Sequence, residues 1–576
     1  MPIGDKAFVS HTGIMVCGNP HPLARRPAMS DFKQMKLDDP IETTARMESE
    51  RGLAALSWAI ISRGSLVDIS DAERDLVDRS DHMCAGAIDG VVHAIQQGGD
   101  PLGDAFVRLR SARQRRPMGA VYTPPEIVNA MVGWIASQER PARIIDPGSG
   151  SGRFAVKAGR TFRDASLVAV ELDPLAALLC RANLTAAGLN GRARVVVGDY
   201  READLGRCDG VTAFVGNPPY VRHHQIEPQW KQWLTSSAAG RGLPVSALAG
   251  MHIHFFLATL LRARPGDLGS FVTSAEWMDV NYGRLLREML TDGLGGESVH
   301  VLAPEAIPFE GTATTASVIC FRVGSEAPSV KMRRVEKVKD LSNLTRGRKI
   351  GKQRLRQEKR WSPLLTSAPP VPEGYVPLGE LCRVHRGAVT GANATWITKA
   401  NNPALPTRAL FPGVTKAREL FDSPDGVLLS FAGLRAVIDL PADLSELDDE
   451  ERFQAERFLR LAEQNGARSS YVARHRNPWW SVGLRSPAPI LATYMARRPP
   501  AFVRNFAGAR NVNVAHGIYP RELLSGHLLN TLAASLRNGV SVALGRTYAG
   551  GLTKFEPSEM ERIPVPNPDL LAELSQ

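Results

Sequence analysis

The sequence predicts an α/β protein built on a doubly wound, mostly parallel sheet, with a helical region before it and an α+β domain after it. Three observations carry this. Short apolar runs recur between Ala142 and Gly216, separated by longer segments of helical character, the alternation that produces a parallel sheet. The first run enters Gly148-Ser149-Gly150-Ser151-Gly152, where glycines at alternate positions permit tight turning and close approach of a ligand to the backbone. The fourth, Phe214-Val215-Gly216, runs straight into Asn217-Pro218-Pro219-Tyr220. Two successive prolines cannot continue a ladder, because each lacks an N–H and holds φ near about −65°.

At 576 residues the chain is too long for one core and predicts three or four folding units. Hydrophobic residues make up 43% and charged ones 22%, the balance of a soluble globular protein. No window approaches about 18 uninterrupted apolar residues, and the first residues lack the basic-then-apolar pattern of a signal peptide, so the expected location is the cytoplasm. Six cysteines stand singly, without metal or disulfide spacing, and are expected to be reduced. The net charge of +11 is concentrated: residues 331–360 hold 13 Lys or Arg against three acids. Such a stripe is the electrostatic footprint of a phosphate-binding surface.

Taken in order, residues 1–40 lack sustained periodicity and read as a disordered tail. Residues 41–116 turn helical, with apolar faces over 53–61, 72–77, 85–95 and 105–109. From Gly119 the chain reads Gly-Ala-Val-Tyr-Thr-Pro-Pro-Glu, in which Thr123 is placed to cap a helix opened by Pro124 and Pro125. A strand over 142–146 ends at Asp146 and enters the glycine turn. The second strand, Leu167 to Glu171, ends in an acid 25 positions beyond Asp146, where doubly wound nucleotide folds place a carboxylate for ribose hydroxyls. A third, Ala193 to Val197, ends in Gly198-Asp199-Tyr200. The fourth must stop at Asn217, whose amide and the Pro218 carbonyl then face the carboxyl edge where ligands of such sheets bind. They are two uncharged acceptors side by side, suited to gripping an –NH2 group, and Tyr220 adds a flat face for a planar ring.

Arg222 to Gly250 reads as a polar loop carrying Trp230 and Trp233. A helix over 251–264, a fifth strand over 270–273, a helix over 282–290 and two strands near 299–302 and 316–323 follow. His223, His224, His252 and His254 have no Cys or carboxylate cluster to complete a metal site, and none is expected. Residues 326–372 read as a basic linker whose Arg346, Arg348, Lys349, Lys352, Arg354 and Arg356 contact phosphates. A proline-rich boundary at 369–377 opens a last domain, 373–576.

These residues and their order resemble the S-adenosylmethionine-dependent DNA amino-methyltransferases of the gamma type found in restriction-modification systems, strongly over 119–323 and again towards the C-terminus. The resemblance implies a Rossmann-like class I domain with a mostly parallel seven-stranded sheet over 117–325 and a DNA-recognition domain over 373–576. It implies that Tyr122, Thr123 and Pro124 enclose S-adenosylmethionine, that Asp146, Gly148, Ser149 and Gly150 line its methionine end, and that Glu171 meets the ribose. Asp199 and Tyr200 would meet the adenine. Asn217, Pro218, Pro219 and Tyr220 would form the catalytic tetrapeptide, with Tyr220 and Phe309 stacking the target base. Arg474, Arg476, Trp479 and Trp480 lie in a basic, aromatic stretch of the last domain and are expected to contact DNA, Arg being a reader of guanine edges. The implied reaction is methylation of adenine N6 in double-stranded DNA by base flipping, with restriction left to a separate endonuclease or defence-system subunit. Methylation of cytosine N4, of a protein glutamine amide, or a DNA-binding specificity module without catalysis are the alternatives.

Overall fold

The computed structural model describes residues 47–80, 88–111, 123–303, 306, 315–365, 371–548 and 552–575. Tyr122, Phe309 and residues 1–40 lie outside the described residues.

Four helices come first: α1 (Glu50–Ile61), α2 (Asp71–Asp78), α3 (Asp89–Gln96) and α4 (Pro101–Leu109). Each of α1, α2 and α4 opens on a side-chain cap, from Ser49, Ser70 and Asp100. Their apolar faces have no core of their own. Leu53, Ile60, Ile95 and Phe106 pack on Leu175, Leu178 and Leu179 of a helix in the next domain. The helical region is therefore a layer on the α/β domain. A buried ion pair pins it, with Arg181 Nε 2.7 Å from Glu73 Oε1.

The α/β domain runs α5 (Pro125–Ala136), β1 (Arg143–Pro147), α6 (Arg153–Thr161), β2 (Ser166–Glu171), α7 (Pro174–Ala186), β3 (Ala193–Val197) and β4 (Thr212–Gly216). It continues with α8 (Pro228–Ala239), α9 (Met251–Arg262), β5 (Leu268–Ser274), α10 (Arg284–Thr291), β6 (Gly296–Leu302) and β7 (Ala316–Arg322). The sheet order is β3-β2-β1-β4-β5-β7-β6, with the first five strands parallel and β7 antiparallel to both neighbours. This is the expected seven-stranded, mostly parallel sheet. Alternate residues feed opposite faces: Ile145, Phe214 and Phe271 enter one core, Ile144, Val215 and Val272 the other.

Two more strands extend the sheet. β8 (Ser329–Val335) pairs parallel with β6, and β9 (Arg348–Gly351) pairs antiparallel with β8. The segment expected as a linker is thus partly an edge of the catalytic sheet. Charge counting hid a strand in which Val330 and Met332 point into the core, while Arg333 on the opposite face donates to His300 Nδ1 at 2.9 Å. Residues 228–239, expected as loop, form α8.

The last domain is α+β. Its five-stranded sheet is ordered Cys382–Arg386, Ala515–Pro520, Ile490–Thr493, Phe502–Asn505, Val427–Leu428. A four-stranded and a three-stranded sheet flank it, with helices Asp449–Gln464 and Gly526–Gly539. Tyr375–Pro377 pairs with Pro564–Pro566, which fastens the two ends of the domain together. Among the described residues no helix is long and apolar enough to cross a membrane.

Candidate active site

The parallel strands β1 to β4 end at one edge, and a cleft of about 1110 Å³ opens there. The glycine turn forms its floor. Gly148, Gly150 and Gly152 have φ of 69°, 56° and 87°, left-handed values that exclude ordinary side chains. A Cβ on Gly152 would lie 2.7 Å from Cys180 Sγ, so the turn also needs the missing side chain to seat on α7.

Glu171 ends β2 and lines the cleft. Its Oε2 accepts from Gly150 N at 2.7 Å, and its Oε1 accepts from Leu172 N and Asp173 N at 2.9 Å each. Burial pushes its carboxyl above the usual carboxylate range, against the pull of those backbone donors. The carboxylate tethers the glycine turn to β2 and retains acceptor capacity on Oε2. Beside it, Leu172 is 61% exposed on the cleft wall, an apolar side chain placed to cover a flat ring.

Asp199 and Tyr200, after β3, form the next part of the wall. The Asp199 carboxylate is held by Arg201, at 2.8 Å from Nε and 2.5 Å from Nη2. Arg201 is itself buried, with its guanidinium 3.6 Å above the Trp230 ring centre and 3.2 Å from His254 Nδ1. Trp233 stacks on His254. The tryptophans expected in a polar loop therefore pack behind the cleft, because helix α8 turns them inward. Burial lowers His254 to about 3 and His252 to about 4, so both imidazoles are neutral at physiological pH. Tyr200 packs 5.2 Å from Phe255 and bonds Thr259 Oγ1 at 3.0 Å, and burial pushes its phenol up to about 12.

Asn217 and Pro219 complete the wall at the end of β4. Asn217 Nδ2 donates to Thr123 Oγ1 at 3.1 Å, which fixes the orientation of the amide. Thr123 was expected to cap the following helix. Instead Pro124 occupies the N-cap position without a side-chain bond, and the threonine hydroxyl serves Asn217. Pro218 is buried and Tyr220 half-buried; burial raises the Tyr220 phenol.

Asp146 departs from expectation. It lies behind the turn, 1% exposed, and is not on the cleft wall. Its Oδ2 accepts from Ala155 N at 3.0 Å and so caps α6, while Oδ1 has no hydrogen-bond partner among the described residues. Gly148, Ser149 and Gly150, expected beside it, do line the cleft. Phe106, Val221, Met251 and Phe255 also line it and escaped the sequence reading. Leu172 carries a local signal, an apolar residue directly after a strand-ending acid; Phe106 arrives from the helical region and carries none.

The expected DNA contacts divide. Arg346, Arg348, Lys349, Arg354 and Arg356 are exposed, and Arg354 sits 4.0 Å from Glu358. Lys352 is not available: it is buried, with Nζ donating to the Ser325 carbonyl at 3.0 Å. Arg348 donates to the Leu364 carbonyl and Arg356 to the Thr291 carbonyl, the latter at 2.8 Å. In the last domain Arg474 is exposed, whereas Arg476 braces the Val389 and Thr390 carbonyls. Trp479 and Trp480 pack into the cluster around Trp396, and Trp480 Nε1 donates to Pro441 O at 3.1 Å. Both tryptophans are half-buried against that cluster, beside Phe458, which also packs on Trp396.

Comparison with known proteins agrees with this geometry. Residues 98–241 match the family "N-6 DNA Methylase", and residues 372–576 match "Type II methyltransferase M.Eco57I, C-terminal domain". The chain is 49% identical over 532 residues to the type II methyltransferase M.XamI of Xanthomonas campestris pv. amaranthicola, covering 90% of this chain and 98% of that protein. It is 21% identical over 481 residues to the type II methyltransferase M.AccI of Acinetobacter calcoaceticus, covering 78% and 86%. Among solved structures, the type IIL restriction-modification enzyme MmeI in complex with DNA shares the fold at a TM-score of 0.54 and 13% identity, over 89% of this chain and 79% of that one.

The buried carboxyl of Asp146 gives a pH-dependent prediction. Burial first, and then the nearby Glu171 charge, raise it to about 8, against the bond from Ala155. A carboxyl raised in the folded state contributes fully below its ordinary range and loses that contribution as pH rises towards about 8, at no more than about 1.4 kcal/mol per pH unit. Asp146→Asn keeps an acceptor for Ala155 and cannot ionise. Its melting temperature is expected to track the wild type at about pH 4 and to exceed it increasingly towards about pH 8. Parallel melting profiles across that range would contradict the assignment.

Proposed function

The chain belongs to the type II DNA methyltransferases, and from that premise we propose that it methylates the exocyclic N6 of adenine in duplex DNA as the modification enzyme of a restriction-modification system. The observation that carries the reading is the placement of Asn217, its amide oriented by Thr123, in the same cleft wall as the glycine turn and Glu171. Any restriction activity would be supplied by a separate polypeptide, and the site of action is the cytoplasm, where the DNA is.

The cleft fits S-adenosylmethionine. The glycine turn offers close backbone approach, Glu171 Oε2 would accept from the ribose, and exposed Leu172 with Phe106 and Phe255 would cover an adenine ring. Asp199 accepts from the adenine amine while Arg201 keeps its charge compensated. When bound, the cofactor supplies an electrophilic methyl group.

The target base has its amine engaged in pairing, so it must leave the stack, at a cost of roughly a few kcal/mol that the pocket recovers. Asn217 Oδ1 and the Pro218 carbonyl accept the two amine hydrogens. Two neutral acceptors draw the nitrogen lone pair out of conjugation and aim it at the methyl group, and Tyr220 stacks on the ring. No strong general base is required, because the amine becomes acidic once alkylated. Much of the rate comes from holding amine and methyl in line. The neutral His252 and His254 behind the wall add no positive charge to repel a cationic cofactor.

Asn217→Ala removes one acceptor and leaves the glycine turn and Glu171 in place. It is expected to retain S-adenosylmethionine affinity within about threefold while turnover falls by ~10²-fold or more. Near-normal methyl transfer by this variant would remove the proposed role of the tetrapeptide.

The outward cations of the sheet edge are proposed to hold DNA phosphates, and the domain over 373–576, with exposed Arg474, to read bases. Replacing Arg346, Lys349 and Arg354 by Gln should lower the slope of log affinity against log salt by about 2.7 and weaken cognate and unrelated duplexes alike. The methylated sequence should not change. An unaltered slope in a salt titration would move the phosphate contacts elsewhere.

A further inference from the structure

Asp100 stands outside the cleft, at the N-cap of α4, yet its carboxylate does more than a cap requires. One oxygen suffices to cap a helix, and Asp100 Oδ1 does so by accepting from Gly103 N at 2.9 Å. The same oxygen accepts from Asn183 Nδ2 at 2.8 Å. Oδ2 turns away from the helix and accepts from Ser151 Oγ at 2.5 Å and Arg153 Nε at 2.7 Å. Only a carboxylate has acceptor capacity for these four donors; an asparagine oxygen has half of it. The contact is close enough that a Cβ on Gly103 would lie 2.1 Å from Asp100 Oδ2 and 2.6 Å from Ser151 Oγ.

Two of the four donors belong to the cleft wall. Ser151 is in the glycine turn between Gly150 and Gly152, whose left-handed conformations shape the floor. Arg153 opens α6, and its Nη1 donates to the Thr123 carbonyl at 3.3 Å. Thr123 in turn receives Asn217 Nδ2. A continuous chain of bonds therefore runs from the helical region through Arg153 and Thr123 to the tetrapeptide, and a branch runs through Ser151 to the cofactor floor. Asn183 Nδ2 also donates to the Ser151 carbonyl at 2.9 Å, which closes the branch.

We propose that Asp100 is a positioning residue for methyl transfer: it holds the glycine turn and the Thr123 main chain in the geometry that cofactor and target amine require. The proposal rests on the functional reading above. It assigns the helical region a part in the site.

The test uses the full chain, with S-adenosylmethionine affinity measured by calorimetry and kcat and KM measured on DNA, below the melting temperature of every variant. Asp100→Asn is expected to lose about tenfold to a hundredfold in cofactor affinity, since charged hydrogen bonds are lost from the turn. Its kcat at saturating cofactor should fall by about tenfold through the misplaced Thr123, while KM for DNA stays within about twofold of the wild-type value. Ser151→Ala removes one branch only and should lose about threefold to tenfold in affinity; it decides the matter if Asp100→Asn does not fold. Glu73→Gln weakens the distant buried pair of the same helical region, and should lower the melting temperature while leaving affinity unchanged. Wild-type affinity and kcat in Asp100→Asn, or in Ser151→Ala where that variant must decide, would overturn the proposal. So would an equal loss in Glu73→Gln, which would make the effect one of general stability. A wild-type chain that binds no S-adenosylmethionine would overturn the functional reading, and the positioning role with it.

Discussion

The constraint on which the molecule depends is that four parallel strands must end at one level and hand the residues that follow them to a common edge. Register sets most of this: Asp146 lies opposite Ala169, and Glu171 opposite Val197, so β1, β2 and β3 finish within a residue or two of one another. Chemistry sets the rest. The prolines at 218 and 219 cannot join a ladder, so β4 stops at Gly216 and Asn217 is delivered to the edge. Gly216 is needed there as well, because a Cβ would sit 3.0 Å from Asp146 Oδ1. Burial of both sheet faces then leaves this edge as a place where polar groups from several strands meet a cavity.

Around that edge the structure separates charge from chemistry. Carboxylates face the cleft and are tied down by backbone N–H groups or by a buried arginine. The basic groups behind it are either neutral, as His252 and His254 are, or compensated, as Arg201 is by Asp199. Exposed cations such as Arg346 and Lys349 lie at the far end of the same sheet, around β9, so the two ends of one domain differ in electrostatic character.

Much of this was legible in the residues. Apolar runs leading to Asp146, Glu171, Asp199 and Asn217 marked four strands and their shared edge without any tertiary information, because strand ends in an open parallel sheet have one functional side. What escaped has physical causes. Thr123 looked like a cap because capping is a local rule, and its real partner is 94 residues away. Lys352 was counted as surface charge, but a long side chain can bury its stem and bond a carbonyl, which composition does not reveal. The aromatics Trp479 and Trp480 sit in a basic stretch and are half-buried against the Trp396 cluster, since exposure of a tryptophan is decided by the fold around it. Asp100 drew no notice, because Ser151, Arg153 and Asn183, which donate to it, lie 51, 53 and 83 residues downstream.

The central claim is that two neutral acceptors at the end of β4 present the amine of adenine for methylation. The most direct test is nucleoside analysis of duplex DNA incubated with the purified chain and S-adenosylmethionine bearing an isotopically labelled methyl group. The account predicts label in N6-methyladenine at one recurring sequence context and in no other nucleoside. Label in N4-methylcytosine, or DNA left unlabelled by a folded chain that binds the cofactor, would contradict it.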